Sequence, residues 1–252
     1  MGKADLQDTT IQFWGENNIL FFEDGVTLKK SKISFSGDDS VIFIRKNAIS
    51  VSLEVAHNSA IYIGEKLYTN STVRILATER KHVCIGDDCL FSFGILFRTA
   101  DPHLVYDAST YTRINTSKSI FIGDHVWIGE NVLLLKGTSI GSGSIIGANS
   151  VVANKKILSN CAYAGNPAQK VRSNVFFHKP STHNYLESNS LKSEVFITDL
   201  YTYSKDEPSN YFNILDEALS LSSSAKERME TIQSMIVCCT DKNRFTISPL
   251  TA

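Results

Sequence analysis

The sequence has no marked excess of either charge, no long apolar run and no C-x-x-C pair of cysteines. Its 252 residues include 25 Lys and Arg against 26 Asp and Glu, for a formal net charge of −1. This balance gives no general reason to expect a nucleic acid or an anionic membrane as a partner. The N-terminal stretch MGKADLQDTTIQFWG has no apolar run after its lysine, and no window approaches about 18 consecutive apolar residues. We therefore expect neither a secretory signal nor a transmembrane segment, and a cytoplasmic location.

The cysteines indicate the redox environment. The chain has five of them, an odd number, and none forms a C-x-x-C pair. Without a secretory signal, this favours reduced, mostly buried thiols over disulfides. The length suits one large domain, alone or with an appendage.

A six-residue repeat is the strongest pattern in the chain. Stepping by six from Ile122 reaches an aliphatic residue at every step up to Ala164, and small residues follow most of them. The same spacing runs from Phe43 to Phe97, with Glu79 as the one exception. A repeat of this length is typical of a parallel β-helix, in which each hexad forms a short strand and a corner. A β-sandwich would instead require alternation and turns every eight to twelve residues or so. We therefore predict an all-β fold with a stacked aliphatic interior.

The repeat divides the chain into three parts. Residues 43–172 carry the hexads, and residues 1–42 are expected to form an N-terminal cap or first coil. Residues 173–252 lie beyond the register, and Ser224 and Glu227 there have the spacing of a helical capping box. Apolar residues at helical spacing occur at Tyr211, Phe212, Leu215 and Leu219. We predict a small, partly helical C-terminal extension that packs on the solenoid or stabilises an oligomer.

A polar, tyrosine-rich stretch interrupts the register. Because the interior stack must be continuous, an insertion can leave only at a corner, so we predict an extruded loop over residues 98–119. Long loops on a rigid scaffold are usually functional. The one histidine of this loop, His103, lies between Asp101 and Asp107. A histidine can accept a proton from a hydroxyl near neutral pH, and a carboxylate can hold its tautomer. An ordinary solvated side chain is the alternative.

Five motifs in a fixed order resemble the bacterial hexapeptide-repeat O-acetyltransferases, which use acetyl-CoA. They are DPH at 101–103, RIN at 113–115, IGDHVWIGENVLLLKG at 122–137, GSIIGANSVV at 143–152 and AGNPAQKVR at 164–172. The spacing from the loop histidine to the tryptophan of GDHVWIG is most similar to that of polysialic-acid capsule O-acetyltransferases. The resemblance covers roughly residues 40–172. It implies a left-handed β-helix and a homotrimer with its active site in the groove between neighbouring subunits.

The resemblance also implies roles for individual residues. His103 would be the general base that deprotonates the acceptor hydroxyl for attack on the thioester, with Asp101 beside it. Trp127 would line the acetyl pocket or contact the acceptor. The positions along the acetyl-CoA track are Ala148, Ala153, Asn154, Lys155, Lys156, Lys170 and Arg172. The last motif carries one additional residue before its lysine, so Lys170 and Arg172 remain alternatives for the CoA phosphate.

Four loop residues suit an anionic carbohydrate acceptor, although ordinary loop packing would use the same types. They are Tyr106, Tyr111, Arg113 and Lys118. Aromatic faces suit sugar rings, and an arginine suits a carboxylate or phosphate. We predict an acetyl-CoA-dependent O-acetyltransferase, without a metal, that modifies a sugar hydroxyl of a capsular or other surface polysaccharide. Three alternatives remain open: an amino-sugar N-acetyltransferase, a zinc enzyme of the carbonic-anhydrase type using His82, His103 and His125, and a non-catalytic scaffold.

Overall fold

The computed structural model describes residues 3–205 and 210–249, which form a parallel β-helix with a helical C-terminal extension. Its strands are β1 (Asp5–Gln7), β2 (Thr10–Phe13), β3 (Ile19–Phe22), β4 (Thr27–Lys29), β5 (Lys32–Phe35), β6 (Val41–Ile44), β7 (Ala48–Ile49), β8 (Val51–Val55), β9 (Ala60–Ile63), β10 (Tyr68–Thr69), β11 (Val73–Ala77), β12 (His82–Ile85), β13 (Leu90–Phe91), β14 (Leu96–Arg98), β15 (Ile120–Ile122), β16 (Trp127–Ile128), β17 (Leu133–Leu135), β18 (Ser139–Ile140), β19 (Ile145–Ile146), β20 (Val151–Val152), β21 (Lys156–Ile157), β22 (Cys161–Gly165) and β23 (Ala168–Ser173). The helices are α1 (Glu187–Lys192), α2 (Tyr211–Leu221) and α3 (Ala225–Ile232), followed by a π-helical turn at Gln233–Val237. The predicted all-β solenoid fold, with its small helical part, is confirmed.

The strands form three faces of a prism that makes about seven coils. Face 1 holds β1, β4 and β7 and then β10, β13, β16, β19 and β22. Face 2 runs from β2 to β20, and face 3 runs from β3 to β21, each with seven strands in parallel order. Strand β23 pairs antiparallel with β22 at the C-terminal end. Strands β1 to β5 pair with later strands in the same parallel manner, so the coils begin well before residue 43.

Stacked aliphatic side chains fill the interior, and the stacking shows where the hexads hold. In the later coils Ile122 pairs with Ile140, eighteen residues further on, as the repeat predicts. The predicted register holds up to Val152 and is wrong after it, because Ile140 pairs with Ile157. Ile157 is therefore fully buried and Leu158 is only half-buried. The last coil is one residue shorter than the eighteen-residue coil before it, so Tyr163 takes the interior position predicted for Ala164.

Coils in the first half are longer than eighteen residues. Val55 pairs with Ala77, twenty-two residues further on, because β8 and β11 are five residues long and the corners carry additional residues. Strict six-residue stacking is therefore wrong for this half. Phe43, predicted to face the interior, packs outward beneath the C-terminal helices. Glu79, the exception in the series, lies at a corner with a left-handed φ of 57°.

The C-terminal extension covers face 3. Phe212, Leu215 and Leu219 of α2 are buried together with the outward side chains Phe43 and Phe121 of this face. The hydroxyl of Ser224 accepts a hydrogen bond from the backbone N–H of Glu227 at 3.2 Å, which caps α3. No helix within residues 3–205 and 210–249 combines the length and apolarity needed to cross a membrane.

Two buried arginines attach this extension to corners of the solenoid. Arg228 donates to the backbone carbonyl of Asp39 at 3.0 Å and to Asn58 Oδ1 at 3.1 Å. Arg244 pairs with Asp87 at 2.7 Å and with Asp124 at 2.9 Å, from two successive coils. Because each guanidinium is nearly inaccessible to solvent, these contacts hold the helices in one position on the prism.

His82 lies fully buried on β12, and neither of its ring nitrogens has a hydrogen-bond partner among the described residues. Burial lowers the pKa of its imidazole to about 3, and the charges of Arg228 and Lys81 act in the same direction. Between about pH 6.5 and pH 3 the unfolded chain therefore binds a proton at this residue that the folded chain does not. The contribution of His82 to stability is complete above about pH 6.5 and declines as the pH falls.

We expect this residue to steepen the acid loss of stability by up to about 1.4 kcal/mol per pH unit. Urea unfolding of the wild type and of His82→Leu between pH 7 and pH 5 measures this effect. The variant is expected to show the shallower dependence of its unfolding free energy on pH. Parallel curves for the two proteins would contradict the prediction.

Candidate active site

An extruded loop of residues 99–119 leaves the prism at the corner between faces 2 and 3, after β14 and before β15. Backbone hydrogen bonds join its two arms. The N–H of Ile114 donates to the carbonyl of Val105 at 3.0 Å, and at the base the N–H of Lys118 donates to the carbonyl of Thr99 at 3.1 Å. The loop is thus a hydrogen-bonded structure that projects from the scaffold, and it corresponds to the predicted residues 98–119.

The tip of the loop is organised by Asp107. Its Oδ1 accepts hydrogen bonds from the backbone N–H groups of Ser109 at 2.9 Å and Thr110 at 2.8 Å, and from both hydroxyls. These bonds, that of the Ser109 hydroxyl first, lower the pKa of the exposed Asp107 carboxyl to about 2. Asp107 is therefore occupied in the turn and does not pair with the His103 ring.

Asn115 joins the two arms on either side of His103. Its Nδ2 donates to Asp101 Oδ2 at 2.9 Å and to the carbonyl of His103 at 2.8 Å. Its Oδ1 accepts from the N–H of Val105 at 2.9 Å and from Nε of Arg113 at 3.2 Å. Asn115 belongs to the RIN motif, from which no role was predicted for it.

Asp101, predicted to assist His103, is paired with a lysine of the next coil. Lys136 Nζ lies 2.6 Å from Asp101 Oδ2 and 3.0 Å from the backbone carbonyl of Asn115. The hydrogen bond from Lys136 holds the pKa of the Asp101 carboxyl below its usual value. The carboxylate therefore anchors the loop to the end of β17, and its bonds run to Lys136 and Asn115 instead of to the imidazole.

Arg113, predicted to bind an anionic acceptor, forms a forked ion pair with Glu79. Its Nη2 lies 2.9 Å from Glu79 Oε2, and its Nη1 donates to Oε1. This pairing lowers the pKa of the Glu79 carboxyl. The residue that breaks the hexad pattern is therefore the one that ties the loop to the preceding coil. An isolated charge at an aliphatic position was the signal that could have identified it.

His103 itself is exposed, and its ring has no hydrogen-bond partner within the described residues of the chain. Its backbone, by contrast, is held by Asn115. Tyr106 and Tyr111 are also exposed, at 52% and 82% of their surface. The loop thus presents an unpaired imidazole and two aromatic rings to solvent on a fixed backbone. That combination suits proton transfer to or from an external hydroxyl.

Three lysines converge beside the base of the loop. Lys81, Lys118 and Lys156 line a polar cavity of about 340 Å³. Lys118 Nζ donates to Asn154 Oδ1 at 2.8 Å. Lys118, predicted to bind the acceptor sugar, therefore lies beside Asn154 and Lys156, which were predicted to bind acetyl-CoA. The cavity also contains the Asp216 carboxylate, which leaves a net positive charge. Lys81 was not singled out in the sequence.

The other residues predicted to bind acetyl-CoA are distributed along the later coils. Ala148 and Ala153 are exposed at two different corners. Lys155 donates to the carbonyl of Ala168 and to Gln169 Oε1 at 3.0 Å, so its amine is already engaged. Lys170 and Arg172 are exposed on β23, opposite Tyr163 and Ala162, and a bulge at Val171 separates them.

Trp127 lies on β16 of face 1, away from the corner that bears the loop. Its side chain is 39% exposed, and its ring lies 5.9 Å from that of Phe177 in the C-terminal extension. No hydrogen bond or ring contact joins Trp127 to the loop among the described residues of one chain. A single chain therefore does not bring Trp127 and His103 together.

The three histidines of the zinc alternative do not share a site. His125 has both ring nitrogens bound, Nδ1 to Asp88 Oδ2 at 2.7 Å and Nε2 to the carbonyl of Phe177 at 2.9 Å. Its ring is also stacked between Phe177 and Tyr201. His82 has no accessible surface, whereas His103 is exposed on the loop. His125 therefore serves to dock the C-terminal extension.

Comparison with known proteins agrees with this architecture. The bacterial transferase hexapeptide family (six repeats) matches residues 119–154. A polysialic acid O-acetyltransferase of Neisseria meningitidis is 28% identical over 120 residues, 47% of this chain and 55% of that protein. One from Escherichia coli O1:K1 / APEC is 36% identical over 135 residues, 53% of this chain and 43% of that protein. The crystal structure of the polySia-specific acetyltransferase NeuO is 31% identical and covers 75% of this chain and 83% of its own, with a TM-score of 0.65. The chain belongs to the bacterial hexapeptide-repeat transferases.

Membership in this family confirms the resemblance read from the motifs. The matched repeats begin where the extruded loop rejoins the prism, and they include Trp127 and the corners that bear Ala148 and Asn154. His103 lies before them, in the loop. The chain spans about half the length of the two curated relatives it matches.

Proposed function

We propose that this chain is an acetyl-CoA-dependent O-acetyltransferase that modifies a sugar hydroxyl of a capsular or other surface polysaccharide. The observation that carries the proposal is the exposed, unpaired His103 on a backbone-clamped loop of a hexapeptide solenoid. The likeness to NeuO over most of the length of both chains supports the acceptor class. The exposed Tyr106 and Tyr111 offer ring faces for a sugar.

In this proposal His103 accepts the proton of the acceptor hydroxyl as its oxygen attacks the thioester carbonyl of acetyl-CoA. A new C–O ester bond forms, the C–S bond breaks, and the proton passes from the imidazolium to the departing thiolate of CoA. The products are the acetylated sugar and free CoA, so no other reactant is required. Arg113 and Asp101 keep the loop in place through Glu79 and Lys136.

The donor would lie along the later coils. Pantetheine carries amides that need close access to backbone groups, and the exposed Ala148 and Ala153 leave their corners open to such an approach. The phosphates of CoA need cations, which Lys81, Lys118 and Lys156 supply around the cavity at the loop base. Lys170 and Arg172 on β23 remain proposed contacts as well.

We further propose that the active unit is a homotrimer in the cytoplasm. Trp127 lies on face 1 and the His103 loop lies at the corner of faces 2 and 3, so the two can share one site when they come from neighbouring copies. Sedimentation of the purified protein tests this assembly. A monomer that retains full activity would contradict it.

Thiol release from acetyl-CoA, measured against anionic and neutral bacterial polysaccharides, tests the proposed activity. We expect release with an acidic polymer, together with ester-linked acetyl groups on that polymer. Release only with amino-sugar monomers would instead establish an N-acetyltransferase. Absence of release with every polymer and monomer would refute transfer from acetyl-CoA.

Removal of a cation from the loop-base cavity is expected to weaken donor binding. Lys156→Ala should raise the KM for acetyl-CoA about five- to tenfold, because a charge-assisted contact to phosphate is lost at a partly exposed site. With 3′-dephospho-acetyl-CoA the difference between variant and wild type should shrink. Lys226→Ala, which removes an exposed lysine from α3, is the control and should leave KM unchanged. An unchanged KM in Lys156→Ala would remove this residue from the donor site.

A further inference from the structure

Within the loop, one buried side chain controls the backbone around His103. Asn115 is 8% exposed, and its side-chain amide makes hydrogen bonds through both its NH₂ group and its carbonyl oxygen. Its Nδ2 donates to the carbonyl of His103, and its Oδ1 accepts from the N–H of Val105, two residues further along the chain. The backbone from residue 103 to 105 is thereby attached at both ends to a single planar group. Asn115 is in turn held by Lys136 through its own carbonyl.

The surrounding charges supply rigidity without contacting the imidazole. Asp101 and Lys136 anchor one side of Asn115, and Arg113 with Glu79 anchors the other. Asp101 and Arg113 thus contact this amide directly, and each is paired with a charge from a neighbouring coil, Lys136 and Glu79 respectively. None of these bonds reaches the ring of His103. The position of the ring is therefore determined through the main chain of His103.

We propose that Asn115 is a positioning residue for His103, which places the imidazole by clamping the main chain that follows it, from the carbonyl of His103 to the N–H of Val105, and by bonding the Asp101 side chain that precedes it. This proposal rests on the proposed acetyl transfer, in which His103 is the base. Reacting groups must be held to within a fraction of an ångström, and a misplacement of about 1 Å can cost about 10²-fold in rate. The side-chain amide is required because it donates to His103 and accepts from Val105; a carboxylate could only accept.

Two variants separate positioning from simple loop stability. Asn115→Asp keeps the acceptor for Val105 but loses both donors, and it adds a charge beside Asp101. We expect kcat to fall about 10²-fold with the KM for acetyl-CoA unchanged, and the melting temperature to fall as well. The exchanged pair Asp101→Asn with Asn115→Asp restores the net charge and a hydrogen bond between the two side chains. It does not restore a donor to the carbonyl of His103.

The exchanged pair is therefore expected to regain melting temperature but not kcat. Recovery of kcat in step with melting temperature would overturn the proposal, because Asn115 would then act only on loop stability. Thr110→Val, which removes hydroxyl contacts at the loop tip, is the matched control and should retain kcat.

Hydrogen exchange tests the clamp independently of activity. In Asn115→Ala the N–H of Val105 loses its acceptor and should exchange at least about tenfold faster than in the wild type. Unchanged exchange would overturn the clamp even for an active enzyme. An inactive wild type with the expected exchange would instead refute the proposed acetyl transfer and leave the clamp established.

Discussion

Replacement of His103 by alanine is expected to lower the turnover of acetyl transfer by about 10²–10⁴-fold, the usual contribution of a general base. The physical reason is that the acceptor hydroxyl must lose its proton as it attacks, and His103 is the one histidine of the loop, with a ring that the described structure leaves exposed and unpaired. Thiol release from acetyl-CoA at saturating acceptor measures the effect. The KM for acetyl-CoA should change little, since the donor track runs along other coils.

His103→Gln provides a sharper version of this experiment, because glutamine retains polarity and comparable size but cannot accept a proton in this pH range. It should be as defective as the alanine variant. His183→Ala, at an exposed histidine outside the loop, is the control and should remain fully active. Activity that survives both changes at His103 would remove the residue from the mechanism.

Replacement of Arg244 by leucine is expected to destabilise the protein by about 3–5 kcal/mol, the range for removing one partner of a buried ion pair. Its guanidinium pairs with Asp87 and Asp124 and also donates to the carbonyls of Ile236 and Cys239. Without it, the nearly buried Asp124 carboxylate loses its nearest cation. Burial already raises the pKa of Asp124, and the arginine is what opposes this shift.

Urea unfolding at neutral pH measures this loss. Arg244→Lys keeps the charge but cannot reproduce the forked contacts, so an intermediate loss is expected, and this variant serves if the leucine form does not fold. Lys226→Met removes an exposed partner of Glu230 on α3 and should cost less than about 0.5 kcal/mol. A leucine variant as stable as this control would show that the C-terminal extension does not depend on Arg244.

Part of the site was predictable because it follows from local residue type. The interruption of the hexads located the loop, and its single histidine identified the candidate base. The partners of that loop were not predictable in the same way. Glu79, Asn115 and Lys136 come from different coils, and their convergence depends on how many residues each coil contains. For the same reason, Asp101 was predicted to assist His103 and Arg113 to bind the acceptor, although the structure pairs them with Lys136 and Glu79.

By itself, the sequence determined the class of fold and, from Ile122 to Val152, which residue of each hexad is buried, because a six-residue period of aliphatic side chains can be buried only by stacking coils. It also determined where the loop must leave. Only the tertiary structure decided the stacking register, since coils of unequal length pair residues that are seventeen to twenty-two positions apart, or thirty-seven where the coil contains the loop. The tertiary structure also decided which charged side chains of the loop form ion pairs within the protein and are therefore not free to bind a substrate. Which side chains meet between neighbouring coils depends on the number of residues in each strand and corner between them. A local sequence pattern does not give that number.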